Sequence, residues 1–152
     1  MKEITFLLLC FSTIFCFGQD IDYIKKLDTV FVKFKKSNFQ TKVGSEDYRF
    51  YTFMLGETPD DGSIYFTKPD FYDNTHETAK KYLPIIVNKS FLKKHKKDIV
   101  GLAFFKKYGV KKSTYEAFSA NCVFYLFECE KQKKGNINLY RVQMSSSYRM
   151  GE

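Results

Sequence analysis

One stretch near the carboxyl end of the chain constrains the fold most. Residues 121–130 (NCVFYLFECE) carry apolar side chains at both odd and even positions of their central run, with no turn-forming residue inside it. Because successive side chains of a strand point to opposite faces, such a strand is covered on both faces and lies inside a sheet. The loop KQKKGN (131–136) and a second apolar run at 137–144 follow, so the sequence predicts a carboxyl-terminal hairpin with a central first strand.

Three further strands are predicted in the first half of the chain. In residues 28–35, one face carries Val30, Val32 and Phe34, which is typical of a half-buried strand. The other face carries Thr29, Phe31 and Lys33. The aromatic run 48–55 and the run 64–67 flank GETPDDGS, whose Pro, Asp and Gly favour a turn, so these two runs are predicted to form a hairpin. Residues 85–87 fit either a short strand or the approach to a helix.

The helices are predicted between the two groups of strands. Ser90 is a suitable N-cap for a short amphipathic helix, and Asp98 for a second helix at 99–108 that ends at Gly109. Ser113 is a suitable N-cap for a third helix at 114–120.

The order of strands, helices and strands predicts an α+β fold. We expect one small domain over residues 19–144, with a mainly antiparallel sheet of about five strands and two or three helices packed on one face. Residues 145–152 are expected to form a loose tail.

Residues 1–18 are typical of a cleaved secretory signal peptide. Lys2 precedes an apolar run, residues 4–17, that is too short to span a bilayer as a helix, and the small Gly18 suits the position before the cleavage site. The sequence therefore predicts a secreted or periplasmic protein, with no integral membrane span in the mature chain.

Most of the positive charge lies in residues 80–112. This segment holds eleven lysines and one acid, Asp98, a balance of +10 in a chain whose formal net charge is +8. Clustered charge of one sign attracts polyanions, so an acidic protein, a polysaccharide or the cell envelope surface is a candidate partner. The predicted binding residues are Lys93, Lys94, Lys96, Lys97, Lys106 and Lys107.

A solvated surface accounts for the same lysines without any partner. Only three residues of the whole chain are arginine, whereas bidentate phosphate recognition favours arginine. Sequence-specific nucleic-acid binding is therefore disfavoured.

Motifs of known catalytic or metal-binding chemistry are missing from the sequence, and no cofactor or metal ion is expected for the favoured function. One polar cluster, in DFYDNTHE, keeps a hydrolase or a metal-binding protein open as the alternative function, since carboxylates beside an imidazole suit acid–base chemistry or hard-cation binding. Its residues are equally typical of a loop and a helix start. They are Asp70, Asp73, His76 and Glu77.

The remaining reactive side chains are predicted to be structural. Cys122 and Cys129 lie at the ends of the central strand, roughly 23 Å apart in an extended chain and on opposite faces, so they are not expected to form a disulfide. His95 falls on the apolar side of the first predicted helix and is expected at the boundary of the core.

Taken together, these features favour a small exported binding module without catalysis. A third class, a protein that acts through an exposed sheet edge, would show an uncovered apolar strand.

Overall fold

Eight strands form one mixed sheet in the computed structural model, which describes residues 19–44, 49–58, 61–68, 83–130 and 135–147. With three α-helices, the described residues make a single small α+β domain. The helices are α1 (Ile21–Ile24), α2 (Lys89–Lys94) and α3 (Leu102–Tyr115), with a 3-10 helix at Lys96–Asp98. The strands are β1 (Thr29–Phe34), β2 (Gln40–Val43), β3 (Phe50–Met54), β4 (Ser63–Thr67), β5 (Ile85–Asn88), β6 (Ile99–Val100), β7 (Val123–Glu128) and β8 (Asn136–Ser147).

The long strand β8 joins the parts of the sheet. It pairs antiparallel with β4, β5 and β7 along successive stretches of its length. The order is β2-β3-β4-β8-β7-β1-β6, with β5 attached to β8 outside this path. β1 runs parallel to both of its neighbours, β7 and β6. The carboxyl-terminal hairpin, the β3–β4 hairpin and the internal position of β7 were all predicted correctly.

The sheet separates two apolar cores. Val30, Val32 and Phe34 of β1 enter the larger core together with Phe104 and Phe105 of α3. Phe31 enters the smaller core, which Phe91 and Leu92 of α2 cover. Because neighbouring residues of β1 enter different cores, α3 and α2 lie on opposite faces of the sheet.

The sheet is strongly curled around the larger core. β1 and β3 are separated by three strands in the sheet order, yet the rings of Phe34 and Tyr51 lie 5.0 Å apart in an edge-to-face arrangement. Phe105 of α3 packs between the curled halves, with its ring 5.3 Å from that of Phe53. Burial of large aromatic side chains of this kind contributes about 1.5–3 kcal/mol each to the hydrophobic stabilisation.

Three features of the predicted fold are wrong. The described residues form eight strands rather than about five. The mainly antiparallel character was predicted correctly, since among the described strands only the pairs of β1 with β6 and β7 are parallel. The helices cover both faces rather than one. Residues 145–147 belong to β8, where they pair with β4, and not to a loose tail.

The helix boundaries also differ from the prediction. Asn88, not Ser90, caps α2, since its Oδ1 accepts a hydrogen bond from the backbone N–H of Phe91 at 2.9 Å. Residues Ile99–Val100 form β6, so Asp98 does not cap a helix, and α3 begins after Gly101. The predicted helix end at Gly109 is confirmed, since its φ of 75° and ψ of 171° break α3 at this residue. Ser113 lies inside the helical segment that follows rather than at its start.

Candidate functional site

The most distinctive surface of the described residues is a group of lysines on α2 and the following 3-10 helix. We call it the α2 patch. All of its side chains are exposed, and it consists of Lys89, Lys93, Lys94, Lys96 and Lys97.

The local sequence explains why these lysines point outward. Asn88 caps α2, and Phe91 and Leu92 then pack against the smaller core beneath the helix. A short helix that buries its aromatic and aliphatic side chains on one side presents its remaining positions to solvent. The amphipathic pattern of α2 therefore fixes the placement of the patch.

The patch lysines carry uncompensated charge within the described part of the chain. Lys42, Arg49 and His95 form ion pairs with described acids, whereas no patch lysine does so. Five like charges on a short segment raise the local positive potential and attract anions over roughly a Debye length, about 8–10 Å at moderate salt.

Asp98 is the acid closest in sequence to the patch, and its oxygens are already engaged. Oδ1 accepts a hydrogen bond from the Tyr23 hydroxyl at 2.6 Å, and Oδ2 lies 2.7 Å from Nδ1 of His95. The hydrogen bond to this carboxylate raises the pKa of Tyr23, because deprotonation would place two negative groups together. Asp98 thus ties α1 to the 3-10 helix instead of pairing with a lysine.

His95 lies at the edge of the smaller core, as predicted. Its ring centroid is 4.4 Å from that of Phe91 and 5.3 Å from that of Phe31. A carboxylate on Nδ1 would orient the ring for general-base chemistry at Nε2. In the described residues this contact fixes the orientation of the His95 ring where α2 ends.

Lys106 and Lys107, which were predicted to share a surface with the α2 lysines, lie on α3 across the sheet. The ammonium of Lys106 is 3.6 Å from the centroid of the Phe39 ring, and that of Lys107 is 4.9 Å from the Tyr108 ring. Both side chains make cation–π contacts of their own. The six predicted binding lysines are therefore divided between two sides of the domain.

A second polar centre is buried beside the larger core. Glu128, 8% exposed, accepts hydrogen bonds from Lys42 Nζ at 3.0 Å and from the Tyr51 hydroxyl at 2.9 Å, and Arg49 Nη1 lies 3.5 Å from it. The guanidinium of Arg49 also stacks over the Tyr140 ring at 4.5 Å. Burial, followed by the nearby Glu128 charge, raises the pKa of Tyr51 well above its ordinary value. This centre joins β2 and β3 to β7 and so holds the curl of the sheet.

Cys122 and Cys129, the cysteines within the described residues, are free thiols, and neither has the properties of an activated nucleophile. Cys122 packs against the larger core and Cys129 against the smaller one, in agreement with the predicted opposite faces. Burial raises the pKa of the Cys122 thiol to about 11 and also raises that of Cys129.

The candidates for the alternative function, Asp70, Asp73, His76 and Glu77, lie outside the described residues, as does the predicted signal peptide at 1–18. Within the described ranges, no group of three or more His, Cys, Asp or Glu side chains is placed to hold a metal ion. In the same ranges, no helix combines the length and the apolar character needed to cross a bilayer.

Comparison with protein-family models, with curated proteins and with solved structures finds no match for this chain. The function is therefore argued from the geometry of the domain.

The two polar centres are the features that the sequence analysis missed. Tyr23 and Asp98 are 75 positions apart, so their contact depends on the tertiary fold. Glu128 could have been predicted as a buried residue. It lies two and four positions from Leu126 and Phe124 in a central strand, so its side chain points to the same inward face. A carboxylate at such a position needs buried partners.

Proposed function

We propose that this protein is a non-catalytic binding module that holds an acidic partner on the α2 patch. The observation that carries the proposal is the exposure of five lysines without an ion-pair partner in the described residues, beside an acid that is engaged elsewhere. Lysine ammonium groups act as point charges and do not need the planar geometry of a bidentate site. The patch thus suits a partner with dense, adaptable negative charge.

The proposal includes export of the protein. The predicted signal peptide supports this location, which is the periplasm or the outside of the cell. Acidic polysaccharides, acidic proteins and the envelope surface are partners of the required charge in that compartment.

The alternative function, a hydrolase or metal-binding protein, depends on Asp70, Asp73, His76 and Glu77. No observation in the described residues favours it over binding. The buried thiols and the position of His95 give no nucleophile that would replace these residues.

The test compares retention on immobilised heparin with retention on a generic cation exchanger of similar charge density at several salt concentrations. We expect tighter retention on heparin, lost when Lys93, Lys96 and Lys97 are changed together to Glu. The matched control changes Lys36, Lys111 and Lys112, exposed lysines outside the patch, to Glu. Equal retention on both matrices, or an equal effect of the two triple variants, would show that the lysines are only a solvated surface.

A further inference from the structure

Strand β5 immediately precedes the α2 patch, and one of its two edges is not paired with any described strand. β5 pairs antiparallel with β8, from Ile85 opposite Leu139 to Asn88 opposite Asn136, and with no other described strand. In an antiparallel strand, alternate residues direct their N–H and C=O groups to the two edges. One row of backbone groups in β5 therefore has no strand partner among the described residues and could pair with a further strand.

The side chains of β5 are unusually apolar for an exposed strand. Ile85 is 48% exposed and Ile86 is 65% exposed, and they point to opposite faces. Leu83, just before the strand, is 65% exposed. Natural proteins protect an exposed edge with lysines, bulges or an internal proline. β5 has none of these within its four residues, since Pro84 precedes its first residue.

The patch begins where the strand ends. Asn88 is both the last residue of β5 and the N-cap of α2, so Lys89 and the other patch lysines lie beyond one end of the available edge. A segment added along β5 would rise about 3.3 Å per residue and would reach the patch after four or five residues. Acidic side chains at that end of the segment would meet the lysines.

We propose that the outer edge of β5 accepts an extended segment of an acidic partner protein as an additional strand. This proposal rests on the proposed function and names its partner as a polypeptide. Main-chain hydrogen bonds to β5 supply affinity, the isoleucines supply apolar contact, and the α2 patch selects segments with acidic flanks.

The unpaired backbone groups of β5 favour a polypeptide over a lipid surface as the occupant of this edge. Exposed isoleucines beside lysines also suit an anionic lipid surface. Insertion into lipid, however, would remove water from the unpaired backbone groups of β5 without replacing their hydrogen bonds, which makes a lipid surface the less favourable occupant. An added strand satisfies the same groups. A second copy of this chain would bring another α2 patch of the same sign, whereas an acidic segment neutralises it.

In the experiment, isothermal titration calorimetry measures the binding of a short synthetic peptide to the purified protein. The peptide is rich in valine and threonine and is flanked by glutamates. Two further peptides carry N-methyl groups on one or the other alternate set of backbone amides, with side chains and charge unchanged. Strand addition requires only one set of amides, so we expect one methylated peptide to bind normally and the other to bind at least about tenfold more weakly.

The protein variant is Ile86→Lys. A lysine in β5 should hinder pairing with an added strand while it adds positive charge. We expect it to weaken peptide binding by about tenfold and to leave heparin retention intact or stronger. Val43→Lys is the matched control, since Val43 is an equally exposed apolar residue, 66% exposed, in the edge strand β2. It should leave peptide binding unchanged.

Each other outcome overturns the strand-addition proposal. Equal binding of both methylated peptides would show attraction by charge alone, so that the α2 patch remains a binding surface without strand addition. Binding to phosphatidylglycerol vesicles without binding to the peptide would identify a lipid surface, and concentration-dependent dimerisation in sedimentation, lost in Ile86→Lys, would identify a second copy. The proposed function fails separately, if neither peptide binding nor heparin retention depends on the patch lysines.

Discussion

Asp98 and His95 lie in contact, with Oδ2 of the acid 2.7 Å from Nδ1 of the imidazole, at the point where the lysine-rich segment turns from α2 into β6. The second oxygen of Asp98 binds Tyr23 of α1. The acid nearest in sequence to the α2 patch therefore contributes to the fold, and it places one negative charge next to Lys97 in the chain. This division of roles leads to the first prediction.

Asp98→Asn should strengthen polyanion binding while weakening the fold. The amide removes one negative charge beside the patch, so elution from heparin should shift to higher salt. The amide keeps one acceptor oxygen but no negative charge, so the contacts with Tyr23 and His95 should weaken and the free energy of unfolding, measured by urea denaturation, should fall. Asp28→Asn, at an exposed acid elsewhere, should change neither quantity appreciably. Unchanged heparin elution for Asp98→Asn would mean that Asp98 does not modulate the patch.

Glu128→Gln should destabilise the domain without affecting polyanion binding. The change leaves Lys42 and the buried Arg49 without their carboxylate partner, and breaking a buried ion pair costs about 3–5 kcal/mol, less where a neutral isostere keeps some hydrogen bonds. Urea denaturation should show a loss of about 2–4 kcal/mol. Glu130→Gln, at an exposed position two residues later, is the control. A stability equal to that of the control would contradict a structural role for the Glu128 centre.

Gly109→Ala should be destabilising although the added methyl group has room. Apart from the adjacent residues and the backbone of α3 itself, no heavy atom lies within 4 Å of the position that a Cβ would take. The cost therefore comes from the backbone, whose φ is 75° and ψ is 171°. Residues other than glycine pay about 1–3 kcal/mol in such a conformation, and thermal and urea unfolding of the variant measure this cost. A stabilising effect would mean that α3 runs through position 109 without the break.

The Cys122 thiol should react slowly with iodoacetamide in the folded protein. Burial raises its pKa from 9.0 to about 11, so the thiol stays protonated at about pH 8, and alkylation should be about one hundredfold slower than in urea. Below pH 9.0 the thiol is protonated in both the folded and the unfolded state, so its ionisation does not change the free energy of unfolding. As the pH rises from 9.0 towards 11, the thiol ionises more readily in the unfolded state, so the free energy of unfolding decreases. Peptide mapping by mass spectrometry separates Cys122 from Cys129. Equal rates in folded and unfolded protein would contradict this burial.

Local patterns in the sequence were sufficient for the elements with clear periodicity. The alternation in β1, the turn residues between β3 and β4, and the two-sided apolar run of β7 each predict their strand correctly, because the side-chain period and the turn chemistry are local properties. The lysine content of α2 and the boundary position of His95 were also evident in the sequence.

The missed strands have no such local signal. β2 (QTKV) is a polar strand at the sheet edge, and β6 has only two residues, so neither shows a periodic pattern. Ile99 and Val100 were therefore assigned to a helix with Phe104. The parallel pairing of β6 with β1 overrides that local preference.

The division of the lysines between two faces could not be predicted from their spacing. Lys97 and Lys106 are nine positions apart, but β6 and Gly101 lie between them, and α3 then crosses to the other side of the sheet. The candidate site is for this reason smaller than the sequence indicated. It gains Lys89 and loses Lys106 and Lys107.

The most direct test of binding at the α2 patch is the salt dependence of affinity for a defined polyanion. Fluorescence anisotropy with labelled polyglutamate would compare the wild type with a variant carrying Lys93→Gln, Lys96→Gln and Lys97→Gln, and with a control carrying Lys36→Gln, Lys111→Gln and Lys112→Gln. We expect the patch variant alone to lose affinity by at least about tenfold at low salt, with a shallower dependence on salt because fewer counterions are exchanged. Equal losses in the two variants, which have the same net charge, would contradict a specific role for the α2 patch.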